Sequence, residues 1–189
     1  MHSSTVLLLL TSAGAALAAP LHPRANACFV IGSTTLPAEV ADVVTSIQSS
    51  ITCSSTVKTI SNVPDVTSGS TSFSSVNFAT SKQTPLQFAL SKFATKSPLA
   101  SNDLATFQDE LNVYLATEAG IRSVGGSLAI KVPKFFLEFQ VSRIQTAQGN
   151  APTNPALTVE HLLAKVLKNA AGESKALQDQ VSALAKVLA

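Results

Sequence analysis

Residues 101–126 read SNDLATFQDELNVYLATEAGIRSVGG, and the spacing of their apolar side chains decides the fold class. Leu104, Phe107, Leu111, Tyr114, Leu115, Glu118 and Ile121 fall on one side of an α-helix, which brings residues three and four apart onto one face. A capping side chain at Ser101 or Asn102 starts this helix, and Gly125-Gly126 ends it. It is expected to be the longest element of the chain.

On its amino-terminal side, Thr84-Pro85-Leu86-Gln87 pairs a capping hydroxyl with glutamine three residues on and proline in the first turn. Leu86, Ala89, Leu90 and Phe93 form that helix's stripe, and Pro98 stops it. On the carboxyl side, Pro133 opens a run through Phe135, Phe136, Leu137, Phe139, Val141 and Ile144. A helix there is apolar over most of its circumference, so it belongs in the middle of a core. Asn154-Pro155 precedes Val159, Leu162, Leu163, Val166 and Leu167 at helical spacing, and after Gly172 a last helix aligns Leu177, Val181, Leu184 and Leu188.

Residues 25–83 are different in kind, rich in Ser and Thr with one helical signal. Pro37 suits a first turn, and Val40, Val43, Val44, Ile47 and Ile51 continue at helical spacing to an end near Cys53. Phe29–Ile31, Val57–Ile60 and Phe73–Phe78 read as short strands. The expected fold is therefore α+β, mostly α. A small strand and helix subdomain (25–83) packs on a bundle of about five helices (84–189), together one domain.

Cys28 and Cys53 are the only cysteines. Bridged, they close a loop worth roughly 3 kcal/mol through the entropy removed from the unfolded chain. Two buried free thiols are the competing reading, and a metal pair is a weaker one because no histidine lies nearby. Export fits the bridge. Val6–Leu10 and the alanines to Ala19 make an apolar segment of about 14 residues, short of the about 20 that span a bilayer, with small residues at Ala16 and Ala18. Residues 1–18 are a candidate signal peptide and 19–24, ending at Arg24, a candidate pro-segment. The expected location is extracellular, with no transmembrane segment.

The residue inventory excludes much chemistry. Charged residues are 13% of the chain and the formal net charge is +2, with the lysines scattered, so nucleic acid is not an expected partner. Of His2, His22 and His161, only the last falls in the folded domain. A ferritin-like di-iron site needs Glu-x-x-His repeats, whereas Ile121 stands three after Glu118 and His161 directly follows Glu160. No Gly-x-Ser-x-Gly elbow occurs. Asp109, Glu110, Glu118 and Glu138 could converge for glycoside cleavage, but the chain has no Trp and one Tyr to stack against sugar rings. No metal or cofactor is expected.

Tyr114, Glu118 and Arg122 follow one another at four-residue steps, which lets Glu118 pair with Arg122 in the order the helix dipole favours. Glu138 and Arg143 on the next helix could extend the pair into a network. These five residues are the candidate site, either a structural ion pair or a binding position.

YLATEAGIRSVGGSLAIKVPKFFLEFQVSRIQTAQG (114–149), with ISNVPDVTSG (60–69), TPLQFAL (84–90) and TVEHLL (158–163), resembles a family of small secreted proteins of filamentous fungi. PLHPRA (20–25) is similar to the leaders of many fungal exported proteins. The resemblance implies secretion and a shared fold, and carries no activity and no catalytic residue. Two functions stand: a non-catalytic secreted protein that binds an unknown apolar ligand, a cell wall or a protein surface, and a secreted enzyme of ferritin-like or hydrolytic type. The single histidine, the absent tryptophan and the low charge favour the first.

Overall fold

The computed structural model describes residues 27–188, so the candidate signal peptide and pro-segment lie outside the described residues. Pro37 precedes α1 (Ala38–Ile47), which buries Val44 and Ile47. A 3-10 turn, Gln48–Ser50, leads into β1 (Ile51–Lys58). The helix thus ends earlier than expected, because β-branched and hydroxyl side chains from Ile51 onward favour a strand, and Cys53 lies in that strand. Antiparallel to it runs β2 (Pro64–Ser68), with Cys53 opposite Val66, and β3 (Thr71–Ser72) pairs on the far side of β2.

Two of the three expected strands are absent. Residues 27–30 form a turn, closed by Val30 N–H donating to Ala27 O at 2.9 Å, and Ile31 after it is irregular. Phe73–Phe78 forms 3-10 turns, Phe73–Val76 and Phe78–Thr80, which put the buried Phe73 and Val76 three apart on one side. The third, Val57–Ile60, reaches β1 only at Val57 and Lys58. Pro64 begins a strand instead of separating two, a position where its missing N–H is tolerated.

The helical half comprises α2 (Pro85–Lys92), α3 (Leu104–Ser123), α4 (Lys131–Ala147), α5 (Val159–Asn169) and α6 (Lys175–Leu184). The fold is α+β and mostly α, with five helices after the sheet. Thr84 Oγ1 caps α2 through Gln87 N–H at 3.4 Å. Asp103 caps α3. Asn102 is taken up one turn earlier, where its side chain accepts from Lys96 N–H and donates to Leu99 O. Thr158 caps α5, while Asn154 caps the 3-10 turn Pro155–Leu157 before it. Gly125, at φ 71°, ends the segment after α3 in the left-handed conformation that suits glycine. No helix among the described residues is long and apolar enough to cross a membrane.

α3 is buried on nearly every side from Val113 to Ser123 and packs against α1, α4 and the sheet. The amino-terminal segment lies across its last turns. Gly32 N–H donates to Ser123 Oγ and Thr34 N–H to Ser123 O, each at 2.9 Å. The Cys28–Cys53 disulfide fastens this strap to β1. Under the strap the helix carries no side chain: a Cβ on Gly120 would lie 2.6 Å from Phe29 O and 2.7 Å from Val63 Cγ1.

In an unobstructed helix interior, alanine is better than glycine by about 1 kcal/mol. Here the sign should reverse. Gly120→Ala is expected to destabilise the protein by roughly 1–3 kcal/mol, the cost of overpacking a filled interior, and urea denaturation measures it. An unchanged or raised midpoint would mean that the strap does not pack on the helix.

Candidate functional site

Glu118 lies on the inner side of α3 and is 3% exposed. A carboxylate so far from water needs partners for both oxygens. Arg122, one turn on, donates from Nε to Oε1 at 2.8 Å. Lys134 of α4 places Nζ 3.0 Å from Oε2. The same ammonium is 3.7 Å from Glu138 Oε1 and 3.8 Å from the centre of the Phe135 ring. Glu138 is held above the usual carboxylate range, first by burial and also by Glu118, with Lys134 opposing.

This cluster forms one wall of a cleft of about 300 Å³ between α1, α3, α4 and α5. Val40, Val43, Leu115 and Phe135 supply apolar surface, and Glu39, Arg122, Lys131 and Lys165 supply charge around it. Lys131 is pushed below the usual lysine range by burial and then by Arg122, while Glu118 pulls it back and Lys134 and Lys168 add to the repulsion. It makes no ion pair or hydrogen bond among the described residues, and its ammonium lies 5.9 Å from the centre of the Phe135 ring.

Of the five expected site residues, the structure brings together Glu118, Arg122 and Glu138. Tyr114 is not part of the cluster, because its ring and hydroxyl are taken up by the aromatic core. It is fully buried among Phe73, Phe78 and Phe93, and its hydroxyl donates to Val76 O at 2.6 Å. Arg143 does not extend the network: five residues beyond Glu138, it lies about 140° round the helix. Its guanidinium donates to Gln140 Oε1 at 2.6 Å and to Val187 O at 2.8 Å, with Nε left unbonded. Burial lowers its pKa to about 10.

Of the four carboxylates considered for glycoside cleavage, only Glu118 and Glu138 share the cleft, with Lys134 between them. Asp109 accepts from Ser68 Oγ at 2.7 Å on the sheet side, and Glu110 faces Lys92 of α2. His161 is exposed on α5. Among the described residues, no group of three or more His, Cys, Asp or Glu is placed to hold a metal ion. What sequence reasoning missed is Lys134, Lys131 and the α1 wall. The four-residue step from Lys134 to Glu138 was a visible signal, but which α4 cation meets Glu118 depends on how two helices align across the core.

The chain belongs to a family described as a domain of unknown function (DUF7143), whose match spans residues 30–189. That span takes in α1, both walls of the cleft and the whole bundle. Comparison with curated proteins and with solved structures gives no match.

Because Glu118 has two cations, removing one leaves the other. Arg122→Ala or Lys134→Met alone should cost about 1–2 kcal/mol, and the two together roughly 3–5 kcal/mol, the range for a buried charge left without a partner. Denaturant melts of this double-mutant cycle would show an excess cost in the double variant. Strict additivity would mean that the cations act independently of the carboxylate.

Glu110 provides a second test. Desolvation raises its pKa from 4.5 to about 7, with Lys92 opposing. The folded protein then keeps a proton that the unfolded chain has released, so stability should fall as pH rises from about 4.5 to 7 and level off above. Thermal melts between pH 5 and 8 should show a shallower decline for Glu110→Gln than for the parent, with the variant the more stable at pH 8. Parallel curves would mean that Glu110 is solvated.

Proposed function

We propose that this is a secreted, non-catalytic binding protein of the fungal extracellular space, and that the cleft beside Glu118 is its binding site. The observation that most supports this reading is the double pairing of Glu118 by Arg122 and Lys134. A general base or nucleophile must be presented to substrate, whereas each oxygen of this carboxylate is held by a cation. No Ser, Thr, Cys or His lines the cleft. The mixture of apolar wall and a few directed polar groups is what small-molecule sites present.

Export is supported by the apolar leader at residues 1–18 and by the disulfide, which persists in oxidising compartments. The fungal setting rests on the resemblance of 114–149 and of the leader to such proteins.

Protein collected from culture medium under non-denaturing conditions should show, by native mass spectrometry, a small-molecule mass that is lost on denaturation. Leu115→Trp, which fills the cleft, should remove it. Retention inside the cell, or turnover of the bound compound into products of new mass, would overturn the reading.

A further inference from the structure

We infer that the cleft takes a small carboxylate with a short apolar body, its carboxylate held by Arg122 and Lys131. This rests on the binding reading above and names the class of ligand. Three observations carry it: unspent cationic donors, the sign of the local charge, and the shape and lining of the space.

Arg122 spends only Nε on Glu118, and its two terminal nitrogens have no protein acceptor among the described residues. A guanidinium presents such nitrogens in a fork that matches the two oxygens of a carboxylate. Lys131 lines the same cleft with its amine unpaired. The paired cations have work elsewhere, since Lys134 is shared between Glu118 and Glu138.

Charge decides between kinds of ligand. Arg122, Lys131, Lys134 and Lys165 line the cleft against Glu39, Glu118 and Glu138, which favours an anion over a cation. Lys131 is crowded by positive neighbours, and an anion between it and Arg122 would relieve that repulsion. Three carboxylates in the same lining disfavour a dianion, so a single negative charge suits the site better than phosphate.

Size and surface set the rest of the molecule. A space of about 300 Å³ is at the small end of ligand sites, which suits a small molecule. Val40, Val43, Leu115 and the Phe135 ring would cover an aliphatic chain or one aromatic ring.

Amide NMR titrations of the purified protein with octanoate, octan-1-ol, octylammonium and inorganic phosphate test this. Octanoate should move the amides of Val43, Leu115 and Phe135 saturably, with octan-1-ol and octylammonium at least tenfold weaker and phosphate failing to displace it. Lys131→Met should keep the parent's spectrum and weaken octanoate roughly ten- to a hundredfold, the loss expected of one hydrogen bond to a charged group. Equal binding of octan-1-ol, or tighter binding of octylammonium, would overturn the carboxylate assignment while leaving the cleft a binding site. Displacement by phosphate at comparable concentration, or unchanged affinity in Lys131→Met, would also overturn it. If none of the organic probes moves the cleft amides, the cleft itself falls as a binding site.

Discussion

Everything in the amino-terminal half is positioned by how closely it approaches α3 at Gly120. The absence of a side chain there lets the Phe29 carbonyl and Val63 rest against the helix. With that contact made, Ser123 anchors the strap through its hydroxyl and its carbonyl. The disulfide then carries the constraint into β1, and α1 follows from the strap onto the outer side of α3. α1 is one wall of the cleft, so the shape of the candidate site depends on a close approach at the residue midway between Glu118 and Arg122, on another side of the same helix.

The core of the bundle was legible because helix periodicity is a local property. Residues 104–121 and 133–144 carried enough apolar positions to specify two long helices, and both are buried as their patterns required. The amino-terminal half was less legible. Its strands are short, and Phe73, Val76 and Phe78 are strand formers by residue type, while burial of both Phe73 and Val76 beside Tyr114 needs the three-residue repeat of a tight turn. Helix starts were displaced for a similar reason: Asn102 and Asn154 are good caps, but each serves a 3-10 turn that precedes the helix.

The candidate site divides along the same line. Glu118 with Arg122 is an interaction within one helix, and its spacing foretold it. Lys134 reaches Glu118 across two helices, Lys131 and Phe135 face α1 across a gap, and no periodicity within one segment contains that information. Arg143 failed for a simpler reason, since five residues is the wrong step for a shared helix face. Glu118 is thereby a buried negative charge that orders the two cations beside it.

The bond from Arg143 to the Val187 carbonyl bears on how the chain reaches this state. Arg143 is 1% exposed and sits in the central helix, yet one of its acceptors lies 44 residues further along the chain. As the polypeptide emerges from the ribosome, α4 can coil and begin to collapse, but the guanidinium cannot be fully enclosed on these terms until residue 187 is free to return. Closure of the bundle around α4 therefore waits on a segment 44 residues downstream, and the growing chain must keep this arginine hydrated or otherwise partnered until that segment arrives.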